Sequence, residues 1–550
     1  MSDARPIADA RASVVDLLAQ VIAEDGRSRA TWLVEVALVA VANVLVLHSV
    51  ATGLDASIDA GPSPRTFFTI GVAIALNWSL QGGLARRVQK ALSATVSRTS
   101  ERLLDATTRL DLEAFEAVGS AEILGRVTED ASRILPSGAI VVQGVVAAAT
   151  VALSTLYVAT SSVVAAAFAG AALLGTAVLI DRSNRAVAEQ IARDRAAHRA
   201  MQEPIDDLLA GFKQLKQHSP RSEAVAAAFE REAEALRRSR EVYHADFFAR
   251  DTWTRQLYMV LLAGVGLALP ALMPDAFADL GQLLVVITFI FRPVMMVLMA
   301  APLLVRLGAT WRRMTDLVAR LEGLAAAEPE VEPQPQGFTR LALRDVCYRY
   351  PSQEGRPGFT VGPCDFELAP GEIVFVTGAN GSGKSTFLEL LCGLYRRDGG
   401  EMLVDGIVVD HDPGPAWRCR FAVVFAEITL FERLYGREDV DPAEVEALLA
   451  DMELSSKVRF EDGRFTTVEL STGQRKRLAL VVALLADRPI YVFDEWAADQ
   501  DPHFRAAFYG RILPALRARG KAVVAVTHDD DAFDACDRRV HFVDGRMAPA

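Results

Sequence analysis

The chain has 550 residues, 58 Lys and Arg against 70 Asp and Glu, and a formal net charge of −12. This acidic balance, with no basic patch interleaved with aromatics, argues against a nucleic-acid partner. A mean hydropathy of +0.21 beside 23% charged residues requires apolar and charged residues to be segregated along the chain, and the length suits two or three domains of about 100–200 residues.

At the N-terminus, Asp3, Arg5, Asp9 and Arg11 precede the first apolar run, which is too long for a cleavable signal. Val14, Val15, Leu17, Leu18, Val21 and Ile22 repeat at helical spacing with Asp16, Gln20 and Glu24 opposite. That pattern suits a helix lying in the membrane interface, or an ordinary cytosolic amphipathic helix. Six stretches then read as membrane spans, 31–53, 65–84, 138–160, 162–181, 254–274 and 279–305, each near the ~20 residues that a bilayer core requires. Glu35 and His48, near the ends of the first, suit the interface.

The connections after the first, third and fifth spans are short and nearly free of Lys and Arg. The other loops carry Arg86, Arg87, Lys90, Arg98, Arg102, Arg182, Arg185, Arg193, Arg195 and Arg199. By the positive-inside rule both termini and the two long loops, 85–137 and 182–253, are cytoplasmic. Breaks at EAVGSAE (116–122) and HSPRSE (218–223) suggest that each long loop is a helix hairpin presenting a turn or cross-helix to a partner domain. Arg292, in TFIFRPVMM, falls near the middle of the sixth span. An arginine there faces a wet cavity, where it could meet carboxylate or carbonyl groups of a cargo, or pairs with another helix. EPEVEPQPQG marks a linker, so the expected division is 1–325, linker 326–336, and a soluble domain 337–550. All five cysteines, Cys347, Cys364, Cys392, Cys419 and Cys536, lie in that domain without CxxC spacing, as reduced structural thiols do.

The soluble half alternates short strands and helices. GANGSGKST (378–386) fits GxxxxGK[ST] and stands after the strand GEIVFVTG and before the helix TFLELLCGL. Gly378, Asn380, Gly381, Ser382 and Gly383 let backbone N–H groups curl around phosphates, Lys384 reaches the outer phosphates, and Ser385 and Thr386 follow, with the Ser385 hydroxyl available to Mg²⁺. The strand PIYVFDE ends in Asp494, a candidate Mg²⁺ partner, and Glu495, a candidate base for the attacking water. AVVAVTH delivers His528 as a candidate sensor of the terminal phosphate. In ELSTGQRKRLAL, Ser471 to Gln474 open a helix whose free N–H groups attract anions.

Phosphate loop, LSTGQ, FDE and TH, in this order after six spans, resemble an ATP-binding cassette (ABC) transporter of the exporter type, over essentially the whole chain. The resemblance implies an α-helical six-span transmembrane domain of the type I or type IV exporter fold followed by an α/β P-loop nucleotide-binding domain. It implies ATP and Mg²⁺ as cofactors, Tyr350 of YRYP as the aromatic that stacks on adenine, and Asp501 of ADQDP as a link between two nucleotide sites. It also implies that Ser471, Thr472, Gly473 and Gln474 bind ATP held by another subunit. One cassette per chain then makes a homodimer with two composite sites the economical expectation.

Four features depart from the common pattern, one being FDEWAADQDP, where Trp496 and the ADQDP run replace the familiar ATSALD. Thr472 replaces a glycine, which a β-branched residue permits if φ stays negative. VVFAEITLF (423–431) has Ala426 and Glu427 where exporters carry a glutamine that bridges Mg²⁺ and the membrane domain, so Glu427 takes that metal role or is a solvated loop acid. EDGRFTTVE replaces the usual loop before the signature. LSTGQRKRLAL with DEWAADQDPHFR resembles the exporter subfamily for cyclic peptides and peptide siderophores. The expectation is a homodimeric inner-membrane exporter of such a cargo from the cytoplasm, embedded in the lipid bilayer, with or without a periplasmic or outer-membrane partner. A siderophore importer on the same scaffold and a lipid flippase are the alternatives.

Overall fold

The computed structural model describes residues 5–60, 63–161, 204–217, 219–263, 280–325, 337–351, 358–411, 413–437 and 439–549, with isolated positions between 178 and 202. Two compact units are present: Met1–Thr108 with Gly119–Gly323, and Arg109–Val118 with Leu324–Ala550.

The first unit is helical. Its long helices are Arg5–Glu24, Arg29–Ala60, Pro64–Thr108, Ala131–Ser161, Ser219–Ala263 and Leu280–Leu324. Among the described residues four segments are long and apolar enough to cross a membrane: Arg29–Gly53, Pro64–Thr108, Ser120–Thr160 and Thr288–Leu324. They match the expected first, second, third and sixth spans. The expected span 162–181 and most of 254–274 lie outside the described residues. Phe67, Phe68 and Trp78 stand exposed on the second span helix, a liability in water that lipid removes. Pro64 opens that helix, where its missing N–H costs nothing.

Much of the N-terminal helix's apolar stripe, expected to face the membrane interface, meets protein, while Val15 is exposed. Val14, Leu17 and Val21 are buried with Leu92, Val96 and Trp311, and Asp16 accepts a hydrogen bond from Trp311 Nε1 at 3.1 Å. Glu35 pairs with Arg87 at 2.6 Å, and His48 Nδ1 lies 2.9 Å from the Tyr157 hydroxyl.

The second unit is an α/β domain with two main sheets. Strands β1 Leu341–Arg349, β2 Thr360–Leu368, β4 Gly399–Val404 and β5 Ile407–Val408 form an antiparallel sheet in the order β2-β1-β4-β5. Strands β3 Ile373–Gly378, β6 Phe421–Val424, β9 Ile490–Asp494, β10 Ala522–Val526, β11 Arg538–Val543 and β12 Arg546–Pro549 form the other, in the order β12-β11-β3-β10-β9-β6. The hairpin of β7 Phe460–Glu461 and β8 Arg464–Phe465 stands apart. IVFV, IYVF and AVVAV are apolar without alternation because β3, β9 and β10 are parallel strands buried on both faces.

Residues 109–118 belong to this second unit although the expected division put them with the spans. The helix Leu112–Val118 packs Leu112 against the core under the antiparallel sheet. Glu116 accepts from the Tyr395 hydroxyl at 3.1 Å, Glu113 accepts from the Arg396 backbone N–H at 3.0 Å, and Asp111 pairs with the Arg396 side chain at 3.4 Å. The break expected at 116–122 is Gly119, whose φ of 84° a side chain would resist.

Candidate functional site

Strand polarity gathers the chemistry. β3, β10, β9 and β6 are adjacent and parallel, so the residues that follow them emerge along one edge, where open α/β sheets bind ligands. The phosphate loop follows β3, His528 follows β10, Asp494 and Glu495 end β9, and Glu427 lies beyond β6.

The loop is built by backbone that only glycine accepts. Gly378, Gly381 and Gly383 have φ of 143°, 76° and 101°, and a Cβ at Gly378 would lie 2.4 Å from the Phe542 carbonyl oxygen. Gly383 caps the helix Lys384–Leu391. Lys384 is buried, and its Nζ donates to the carbonyls of Gly378 and Ala379 at 2.9 and 3.0 Å, which draws the loop into a ring around one cation. Asn380, Gly381, Gly383, Lys384, Ser385, Thr386, Phe359 and Glu495 line a cavity of about 420 Å³. Ser382 Oγ and Asp494 Oδ1 are buried without a hydrogen-bond partner, a cost that a ligand at the loop would remove. Burial raises the Asp494 carboxyl above the usual carboxylate range, against the opposing bond from Ser385.

Glu495 adopts a left-handed backbone, φ 49° and ψ 36°. Its Oε1 lies 3.2 Å from His528 Nε2, so the two expected catalytic side chains meet. The expected adenine platform is placed differently. The Tyr350 ring meets Tyr348 and Tyr395 edge-on, with centroids 5.1 and 5.9 Å away, and its hydroxyl lies 3.0 Å from Thr386 Oγ1. Phe359, 41% exposed, is the aromatic ring that lines the cavity. Glu427 is exposed in the loop after β6 and is not among the lining residues.

Ser471 caps the helix Thr472–Ala486 with a reciprocal box: Gln474 N–H donates to Ser471 Oγ at 3.4 Å and Ser471 N–H to Gln474 Oε1 at 3.3 Å. Thr472 takes the first helical position, so its branched side chain meets no positive φ. Gly473 is required by close approach, since a Cβ there would lie 2.7 Å from the Asp499 carbonyl oxygen. Asp501 caps the helix Pro502–Ala507, accepting from Phe504 N–H at 3.0 Å, and that bond first of all holds its carboxyl below the usual range.

Sequence reading missed an interlock between this helix and the turn after β9. Lys476 is 2% exposed; its ammonium donates to the Glu495 carbonyl and pairs with Asp499 at 2.7 Å. Trp496 Nε1 donates to the Lys476 carbonyl at 2.8 Å, and Gln500 Nε2 to the Gly473 carbonyl at 3.1 Å. The only signal was a lysine on the apolar side of an otherwise regular helix.

The first unit holds a cavity of about 900 Å³ among its span helices, and Arg292 lines it beside Pro293 and Met296.

A P-loop at the end of β3, an acidic pair at the end of β9 and a capped signature helix define a nucleotide-binding cassette, carried on one chain with a span-forming helical unit. The family profile described as ABC transporter matches residues 361–498. The chain is 32% identical over 244 residues to the aliphatic sulfonates import ATP-binding protein SsuB of Cupriavidus necator, covering 43% of this chain and 77% of that protein. It is 36% identical over 307 residues to the ATP-binding protein SyrD of Pseudomonas syringae pv. syringae, covering 53% of each. It is also 30% identical over 255 residues to an ATP-dependent lipid A-core flippase of Chromobacterium violaceum, 42% of this chain and 43% of that one. The matches span about half the length of SyrD and less of the flippase. A bacterial Atm1-family ABC exporter with ATP bound shares the fold, with a TM-score of 0.69 at 16% identity over 98% of this chain and 94% of that one. This chain belongs to the ABC transporter family, and its second unit is the family's ATPase module.

Proposed function

We propose that two copies of the chain form an ATP-driven inner-membrane exporter that carries a cyclic or otherwise modified peptide, or a peptide siderophore, out of the cytoplasm. The observation that carries the dimer is a separation within one chain. Ser471 to Gln474 do not line the phosphate-loop cavity of their own cassette, yet they present a capped helix start suited to an anion. Their phosphate belongs to a second copy, and the reverse contact completes a second site.

Within each site Lys384 and the loop N–H groups hold the phosphates, Phe359 is the ring available to the base, and Glu495, steadied by His528, takes a proton from the attacking water. The orphaned Asp494 oxygen and the Ser385 hydroxyl suit a hard divalent cation with oxygen ligands. When bound, Mg²⁺ neutralises developing phosphate charge. The likeness to SyrD and the resemblance of LSTGQRKRLAL and DEWAADQDP to the peptide-exporter subfamily support the cargo class, and the basic loops support a cassette and termini on the cytoplasmic side.

Mixing chains tests the dimer. Lys384→Ala and Ser471→Arg homodimers should each be inactive, whereas the mixed dimer has one composite site with both parts intact and should regain ATPase activity. Failure of complementation in proven mixed dimers would overturn trans completion. ATP-dependent accumulation of cyclic peptide inside inverted membrane vesicles tests direction, and accumulation only in right-side-out vesicles would make it an importer.

A further inference from the structure

The span cavity carries a group of side-chain amides. Asn43 comes from Arg29–Ala60, Asn77 and Gln81 from one face of Pro64–Thr108, and Thr150 from Ala131–Ser161. Asn77 Nδ2 and Gln81 Nε2 both donate to Asn43 Oδ1 at 3.0 Å. Asn43 Nδ2 donates to Thr150 Oγ1 at 3.0 Å, and Gln81 Nε2 donates to Asn77 Oδ1 at 3.1 Å. All four line the cavity, together with Gln143 and Arg292.

Such a network is expensive scaffolding. Amides in a bilayer require partners, and their bonds between helices contribute little to association, so leucines would hold these three helices at least as well. Each primary amide offers two hydrogens and two lone pairs. The bonds above saturate Asn43 Oδ1, but they use neither the Gln81 carbonyl nor the second hydrogens of Asn43 and Asn77. Those valences, with the second lone pair of Asn77 Oδ1, have the pattern of a secondary amide in reverse: acceptors for its N–H, donors for its C=O. Among the described residues that line the cavity Arg292 is the one with a charge, and it adds a planar set of donors for an anionic group.

We infer that Asn43, Asn77 and Gln81 form a site that reads the backbone amides of a peptide-bonded, singly anionic cargo, with Arg292 taking its acidic group. This rests on the proposed export of peptides and assigns the residues that recognise them. A cargo amide entering the cavity trades its water partners for this network, which a hydrocarbon or ester-linked molecule cannot do.

The test measures binding to the full-length protein in nanodiscs without ATP, so that transport direction does not enter. The probes are a cyclic hexapeptide with one glutamate and two leucines, the same ring with every amide N-methylated, and its open-chain form. The wild type should bind the unmethylated ring about tenfold more tightly than the methylated one, the worth of one hydrogen bond. Gln81→Leu and Asn77→Leu should each bring that ratio below about two, while Arg292→Gln weakens both rings and leaves the ratio. Thermal unfolding of each variant separates loss of recognition from loss of fold, and the open chain shows whether the ring matters. Equal binding of both rings to the wild type, an unchanged ratio in Gln81→Leu, or no binding of either ring at millimolar concentration would overturn the assignment. Amide preference without vesicle transport would instead sink the export reading alone.

Discussion

Replacing Lys476 with methionine removes a buried ammonium that ties the signature helix to the catalytic turn. The lysine donates to the Glu495 carbonyl and pairs with Asp499 at 2.7 Å, and a hydrogen bond from a charged group contributes about 1.5–3 kcal/mol. Part of that returns because a desolvated cation is no longer buried, which leaves about 1.5 kcal/mol acting on the turn. Glu495 has a φ of 49°, and a non-glycine left-handed residue costs about 1–3 kcal/mol, so the lost tie is comparable with the strain it opposes. The fraction of cassettes with Glu495 correctly placed, and with it kcat, should fall about tenfold. The KM for ATP should stay within about twofold, because the phosphate loop is built on β3 without Lys476. Lys476→Gln, which restores a donor but no charge, should lose about threefold. Steady-state ATPase of the reconstituted protein, beside equilibrium binding of a fluorescent ATP analogue, reads both quantities. A kcat for Lys476→Met within twofold of the wild type would refute the reasoning.

Phe359→Ala should raise the KM for ATP about three- to tenfold, the worth of an aromatic contact, and leave kcat near the wild-type value; Tyr350→Phe should change KM less, since its ring is already packed on Tyr348 and Tyr395. Ser471→Arg should spare ATP binding, read by the same fluorescent analogue, and abolish hydrolysis. Glu389 predicts a pH dependence: burial first, then Glu116 and Asp494, push its carboxyl from 4.5 up to about 7. The folded chain then holds this proton more tightly than the unfolded one, so the contribution to stability falls as pH rises from about 4.5 to about 7. In nucleotide-free protein with EDTA, Glu389→Gln should melt above the wild type at pH 8 and level with it near pH 4.5.

Most of the nucleotide site was legible because its parts sit at the ends of continuous apolar strands, where a change from IVFV to TGAN or from IYVF to DE is visible without any fold. What was not legible depends on distance in sequence or on a shared signature. Lys476, Trp496 and Gln500 look like two unrelated peculiarities until β9 brings the turn beneath the helix. Tyr350 and Phe359 flank the same loop, and no pattern says which ring turns outward. Helical periodicity at Val14, Leu17 and Val21 states that a stripe is buried but not whether lipid or Trp311 buries it. The amides at 43, 77 and 81 read as scattered polar residues in apolar runs until two helices align them.

The membership of residues 109–118 in the cassette unit bears on how the protein is made. Tyr395 follows its partner Glu116 by 279 residues, so at about 5–20 residues per second the ribosome needs roughly 15–55 s to deliver it. During that interval Leu112 and three carboxylates wait for a surface not yet synthesised. The cassette therefore finishes long after one of its parts has emerged, and a cassette cut free at Leu324 lacks that part from the start.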